Sequence, residues 1–185
     1  MKEIEAKFRL INADEFRALL ELKGFRLINQ GTNEDNYYTD PDGSFITDRV
    51  CLRLRKKNNE TVFTFKPKRK QEQDVAVIDE IEFKVDDFYK MEQTLKGLGY
   101  LKAVSFEKNR ETYEKDGLKI CLDNVKELGW FAELEIMSDD EEQAINKINM
   151  MSAELNLTQR EKHNYRDLIL LKNESSWQDK IEKDQ

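Results

Sequence analysis

Glu3, Glu5 and Lys7 stand at every second position of the opening stretch Lys-Glu-Ile-Glu-Ala-Lys-Phe, residues 2–8. A β-strand sends alternate side chains to one face, so these three share a face while Ile4, Ala6 and Phe8 share the other. The two carboxylates then stand about 6.5 Å apart along the strand. At an effective dielectric of about 20 they repel by roughly 2–3 kcal/mol. Either water screens them or a cation sits between them. Charged side chains are mostly exposed, so one such strand decides nothing. What matters is whether the rest of the chain repeats the pattern.

It does, with the signs sorted strand by strand. Arg53 and Arg55 alternate with Leu52 and Leu54, and Lys66 ends the run Thr-Val-Phe-Thr-Phe-Lys. Glu80 and Glu82 flank Ile81, Lys108 and Arg110 alternate in Ser-Phe-Glu-Lys-Asn-Arg, Asp123 follows Cys121 by two, and Glu133 and Glu135 flank Leu134. A merely solvated face more often mixes signs along a strand. The opposite faces are apolar: Ile4 and Phe8, Leu52 and Leu54, Ile81 and Phe83, Leu134 and Ile136. If such strands close into a barrel with helices packed outside, the charged face points into the lumen. Buried charge at that density is costly unless paired or ligated. The lumen should therefore hold a divalent cation on its carboxylates and a multivalent anion on its arginines and lysines. Magnesium or manganese suits an all-oxygen site, and a polyphosphate suits both the metal and the cations.

The elements that position these residues are signalled by period and punctuation. Residues 3–25 and 80–100 both run Glu-Ile-Glu-x-Lys, an acidic turn, an amphipathic helix and a terminal glycine, which predicts a duplicated unit. In the first helix Asn12 and Glu15 form a capping box, Phe16, Leu19, Leu20 and Lys23 mark one face, and Gly24 is the stop. The second carries Phe88, Met91, Leu95 and Leu98; a third is predicted to start at Ser138, with Glu141 as box partner, and to turn Ile145, Ile148 and Met151 inward. Turns at 40–43, 57–60 and 114–117 separate antiparallel strands, giving about eight strands and three main helices. Residues 67–77 read as a mobile basic loop. The expected organisation is a single α+β domain over 1–171, in halves of about 1–78 and 79–171, with 172–185 a flexible tail whose only sizeable apolar group is Trp177.

Composition removes several classes. With 38% apolar residues the chain can pack a soluble core despite 37% charge, and no run is long enough to span a bilayer. A cytoplasmic protein is expected. The net charge of −7 argues against double-stranded nucleic acid as a partner, so any anion must be held locally. Cys51 and Cys121 lack metal-ligand spacing and are read as reduced. His163 is the single histidine, and no Gly-rich phosphate loop is present.

Together, Glu3-x-Glu5-x-Lys7, Leu52-Arg53-x-Arg55, Lys66, Lys108-x-Arg110 and the stretch 122–136 with Asp123, Glu133 and Glu135 resemble the CYTH proteins, also called triphosphate tunnel metalloenzymes. The resemblance spans roughly residues 1–170 and implies an eight-stranded antiparallel β-barrel, a triphosphate tunnel, with helices around it. It implies that Glu3, Glu5, Asp123, Glu133 and Glu135 bind Mg2+ or Mn2+, and that Lys7, Arg53, Arg55, Lys66, Lys108 and Arg110 grip the triphosphate. Lys7, Lys66 and Arg55 are the catalytic candidates, and Glu80 and Glu82 a supporting acidic pair. The stretch 122–135 and the closing His-Asn-Tyr-Arg-Asp at 163–167 look most like the class IV adenylyl cyclase (CyaB-like) branch. That branch makes cyclic AMP and pyrophosphate from ATP. Other branches hydrolyse tripolyphosphate, thiamine triphosphate or nucleoside triphosphates, and a non-catalytic polyphosphate-binding module is the third alternative. Cys51 stands where mammalian thiamine triphosphatases carry a tryptophan. The oligomeric state is open, a homodimer included.

Overall fold

The computed structural model describes the backbone of residues 1–68 and 75–183, with side chains through 174. The first unit comprises β1 (Lys2–Leu10), α1 (Ala13–Leu22), β2 (Arg26–Thr39), the single turn α2 (Ser44–Thr47), β3 (Cys51–Lys57) and β4 (Glu60–Lys66). The second comprises β5 (Ala76–Ile78), β6 (Ile81–Val85), α3 (Phe88–Gly97), β7 (Leu101–Lys115), β8 (Leu118–Val125), β9 (Gly129–Ser138), α4 (Glu141–Glu154), β10 (Arg160–Glu161) and α5 (Tyr165–Lys183). All pairings are antiparallel, in the order β10-β1-β9-β8-β7-β2-β3-β4-β6, with β5 also on β1.

The duplication is visible in this order. Exchanging β1 with β6, β2 with β7, β3 with β8 and β4 with β9 reverses the sequence of strands and leaves the neighbours unchanged, as an internal twofold requires. The two long strands β2 and β7 pair with each other across that axis. The ring is joined by one short run: β6 pairs with β4, and β5, two residues upstream of it, pairs with β1 through Glu3↔Ile78 and Glu5↔Ala76. Counting β5 and β6 as one run gives the eight-stranded antiparallel barrel that the sequence implies.

The apolar strand faces point outward under the helices. Ile4, Ala6, Phe8, Ile120, Leu122 and Leu134 pack with Phe16 and Leu20 of α1 and Ile148 of α4, while Leu52 and Leu54 pack with Phe88 and Leu95 of α3. A further cluster lies on the inner face: Tyr37, Phe106, Val125 and Phe131 share register with Arg53, Asp35, Lys108 and Asp123. Tyr165 and Leu168 of α5 complete it. Arg166, 0% exposed, fixes α5 there by donating to the carbonyls of Phe45 and Val50.

Several local expectations change. The third helix is capped by Asp140, whose side chain accepts from the Gln143 N–H; Ser138 instead accepts from the Asp140 N–H one turn earlier. An aspartate next to the helix outcompetes a serine two residues farther away. Leu98 is the C-cap of α3 and is 70% exposed, because the helix ends before its face returns to the core. Ile81 and Phe83 are 59% and 50% exposed, so the outer face of β6 is not covered. Strand β5 begins inside the stretch read as a loop; three residues are too few to show a period. Residues 69–74 of that stretch lie outside the described residues. Helix α5 carries the backbone on to Lys183, across most of the stretch read as a tail, and Trp177 lies beyond the described side chains.

Asn12 accepts from the N–H groups of Asp14 and Glu15 and so caps α1. Asn12→Ala should cost about 1 kcal/mol, lowering the melting temperature by about 2–4 °C in calorimetry.

Candidate functional site

The inner faces enclose a cavity of about 610 Å3. Twelve of the thirteen residues selected from the sequence line it: Glu3, Glu5, Lys7, Arg53, Arg55, Lys66, Glu80, Glu82, Lys108, Arg110, Glu133 and Glu135. Asp123 lies behind its wall, fully buried.

Register explains the convergence. Glu5 faces Glu135 and Lys7 faces Glu133 across β1 and β9, so one strand pair carries both acidic pairs. Glu3, Glu5 and Glu135 each bring a carboxylate oxygen within 4.8 Å of the others. Burial raises the Glu135 carboxyl to about 7; Arg110 opposes this, and Glu3, Glu133 and Glu5 reinforce it. Lys66 Nζ donates to Glu3 Oε2 at 2.5 Å and stands 3.4 Å from Glu80. Burial alone would depress this ammonium, yet Glu5, Glu3 and Glu80 hold it well above the ordinary lysine range. Lys66 is thus a fixed cation standing on a carboxylate cluster. Three carboxylate oxygens under mutual repulsion, neutralised by one ammonium, fit a hard divalent ion.

The cations are held by their own acidic frame. Arg55 donates from Nε and Nη2 to Asp35 at 2.5 and 2.8 Å. Burial opposes ionisation of Asp35, but Arg55 keeps its carboxyl well below the usual range. Arg53 donates to Thr64, which donates to Glu82 at 2.9 Å. Asp123 accepts from Lys108 Nζ at 2.8 Å, from Arg110 Nε at 2.7 Å and Nη2 at 2.6 Å, and from the Tyr165 hydroxyl at 2.8 Å. Those four donors occupy the carboxylate, and Asp123 is not part of the Glu3–Glu5–Glu135 group. Arg110 also binds Glu133, which Lys7 approaches at 3.3 Å. Lys7 donates to the His163 carbonyl and lies 3.9 Å over the Tyr165 ring.

Two buried donors on residues that line this cavity have no hydrogen-bond partner among the described residues: Arg53 Nε and Asn33 Nδ2. Buried donors of this kind are rare and expensive. An acceptor-rich ligand would satisfy both. Asn33, Asp35 and Tyr165 were not singled out from the sequence. Asn33, Asp35 and Tyr37 alternate along β2 as the inner face requires, but with a single charge among them they carry little sign signal.

Lys108 is 2% exposed, and burial together with Arg110 pushes its ammonium down to about 8. Its charge is therefore lost as pH rises through about 8. Tripolyphosphate binding, measured by calorimetry, should weaken above that pH by up to about tenfold per unit, one proton being taken up per anion bound. Lys108→Met should bind more weakly at pH 7 and lose this dependence. The thiols of Cys51 and Cys121 are pushed up by burial and are free, so they contribute polarisable wall and no thiolate.

A curled antiparallel sheet with acid and base sorted on its inner face defines the site. The chain matches the CYTH domain over residues 1–165 and belongs to that family. It is 32% identical over 135 residues to a Methanocaldococcus jannaschii protein named "Putative adenylate cyclase MJ0240", covering 73% of this chain and 77% of that one. It is 26% identical to adenylate cyclase CyaB of Aeromonas hydrophila, over 75% of this chain and 71% of that one. Among solved structures, the PH1012 protein of Pyrococcus horikoshii superposes with a TM-score of 0.81 at 25% identity, over 90% of this chain and 98% of that one. A Hippeastrum protein named "Putative adenylyl cyclase HpAC1" shares the fold with a TM-score of 0.66 at 19% identity, over 92% of this chain and 95% of that one; its structure is described as revealing a dominant triphosphatase activity. Among the described residues, no helix is long and apolar enough to cross a membrane.

Proposed function

We propose that this chain is a divalent-metal-dependent enzyme that converts ATP to cyclic AMP and pyrophosphate inside the barrel. The observation that carries the reading is the pairing, in one cavity, of a three-carboxylate cluster with a basic wall that includes an unpartnered buried donor on Arg53. The names of the M. jannaschii and A. hydrophila relatives support the cyclase direction.

Glu3, Glu5 and Glu135 would hold Mg2+ or Mn2+, with Glu133 close by. Bound there, the metal supplies Lewis-acid polarisation of phosphoryl oxygens. Arg53, Arg55, Lys66, Lys108, Arg110 and Lys7 hold the triphosphate in line. Arginine forks on Arg53 and Arg55 match two phosphate oxygens at once, which lysine cannot copy. Glu3 cannot serve Lys66 and a metal equally, so with a metal on Glu3, Lys66 would be free to hold the anion. Metal and triphosphate should therefore bind with positive coupling, seen equally from either side. In the reaction the ribose 3′ oxygen bonds to the α-phosphorus, the bond from that phosphorus to the α–β bridging oxygen breaks, pyrophosphate departs with that electron pair, and the hydroxyl proton passes to solvent. Lys66, held charged, acts as a cation and not as the acceptor of that proton.

The same grip would serve attack by water on the terminal phosphorus, as the Hippeastrum protein's activity illustrates for this fold. Incubation with ATP and Mg2+ or Mn2+ separates the two. Cyclic AMP and pyrophosphate in equal amounts, with tripolyphosphate and 3′-deoxy-ATP acting only as competitors, are expected. ADP and inorganic phosphate, without cyclic nucleotide, would replace the cyclase reading by a triphosphatase. Absence of any turnover, with metal-dependent tripolyphosphate binding intact, would mark a binding module.

A further inference from the structure

Across β3, β4 and β6 three side chains stand in one row: Arg53 opposes Thr64, and Thr64 opposes Glu82. The order is base, hydroxyl, acid. Arg53 Nη2 donates to Thr64 Oγ1 at 3.0 Å, and Thr64 Oγ1 donates to Glu82 Oε2 at 2.9 Å. A guanidinium only donates and a carboxylate only accepts, so the direction of the hydroxyl proton is fixed by its two neighbours. Arg53 and Glu82 line the cavity, whereas Thr64 lies behind them, 0% exposed. Its branched side chain is stiff at χ1, which holds the hydroxyl in place.

The neighbouring arginine is held differently. Arg55 gives Nε and Nη2 to the two oxygens of Asp35, the paired grip that a carboxylate offers a guanidinium. Arg53 has no such grip. Its acid, Glu82, stands 3.5 Å from Nη2 with the hydroxyl bonded to both, and the buried Nε has no hydrogen-bond partner among the described residues. A carboxylate in two-point contact would occupy the edge of Arg53 that a phosphate needs. A neutral acceptor on one nitrogen leaves that edge open, and it is the weaker rival, since charge-assisted bonds are about twice as strong as neutral ones. We propose that Thr64 is a positioning residue: its hydroxyl fixes Arg53 at the cavity wall and keeps Glu82 from clamping it, so that Arg53 is the arginine reserved for the anion. This rests on the reading of the basic wall as a polyphosphate grip. It gives Glu82 a defined part there, orienting Arg53 through the hydroxyl. Without that hydroxyl Glu82, whose side chain is 47% exposed, is free to swing onto the guanidinium and compete with phosphate.

Calorimetry of tripolyphosphate binding to the full chain tests this. Thr64→Val keeps the shape, removes the hydroxyl and should weaken binding about tenfold. Thr64→Ser returns the hydroxyl on a smaller side chain and should bind within about threefold of the parent. Glu82→Gln removes the competing charge, so its gain in affinity should be larger in the Thr64→Val background than in the parent. Manganese affinity without anion should be the same in all of them, because Thr64 and Glu82 lie outside the Glu3–Glu5–Glu135 group. A role confined to packing would move the melting temperature and would not separate Thr64→Ser from Thr64→Val in anion affinity. Should Thr64→Val fail to fold, Thr64→Ala deletes the same hydroxyl and takes its place. A parent that does not bind tripolyphosphate removes the polyphosphate reading itself, and this inference with it. With parental binding present, the proposal is overturned by a Thr64→Val variant that binds like the parent. A Thr64→Ser variant as weak as Thr64→Val, or equal gains from Glu82→Gln in the two backgrounds, overturns it too.

Discussion

Glu135→Gln is expected to abolish metal-dependent turnover and, in metal-free buffer at pH 8, to melt several degrees above the parent. Its carboxyl sits with those of Glu3 and Glu5, and burial with that like charge raises it from 4.5 to about 7 in the folded chain. A carboxyl raised on folding holds its proton more tightly folded than unfolded. Its contribution to stability is therefore full below about pH 4.5, declines between 4.5 and 7, and is replaced above 7 by the cost of the buried charge. That cost is at most about 3 kcal/mol, and less in practice because some solvent reaches the group. Glutamine keeps the shape without the charge, so the variant should gain about 4–10 °C at pH 8 and almost nothing at pH 4.5. Differential scanning calorimetry at the two pH values, with EDTA, is the measurement. Equal melting at pH 8, or retained manganese-dependent activity, would remove Glu135 from the cluster.

The inner face was legible from sequence because charge sorted by sign at period two is hard to produce without a lumen. Glu3, Arg55 and Glu135 could be placed on it without any coordinate. Counter-charges one layer back were not legible. Asp35 is the single charge among Asn33, Asp35 and Tyr37 on the inner face of β2, and only register shows that it meets Arg55. Tyr165 lies within the motif at 163–167, but its two roles, stacking under Lys7 and donating to Asp123, depend on α5 folding back across more than forty residues. Short elements escaped for a simpler reason. β5 and β10 span three and two residues, and their pairing is imposed by the closing of the ring, not by any period of their own. The outer face of β6 shows the limit of pattern reading from the other side: alternation gave its orientation correctly but not whether anything covers it.

Asp123 separates two roles that residue type alone cannot. Grouped with Glu133 and Glu135 it reads as a metal ligand, yet the structure gives its lone pairs to Lys108, Arg110 and Tyr165. Burial opposes its ionisation, and Arg110 and Lys108 override that, keeping the carboxyl below its ordinary range. Asp123→Asn keeps the volume and removes the charge, leaving a 2%-exposed lysine and a neighbouring guanidinium with weakened compensation. Breaking a buried pair in this way costs about 3–5 kcal/mol, or about 10 °C of melting temperature for a chain of this size. Manganese affinity should be almost unchanged, whereas in Glu135→Gln it should collapse. Tripolyphosphate supplies oxygens to Lys108 and Arg110, so saturating anion should raise the melting temperature of Asp123→Asn more than that of the parent. The opposite pattern, with manganese affinity lost and stability kept, would move Asp123 from the basic wall into the metal cluster and require Lys108 and Arg110 to find their counter-charge elsewhere.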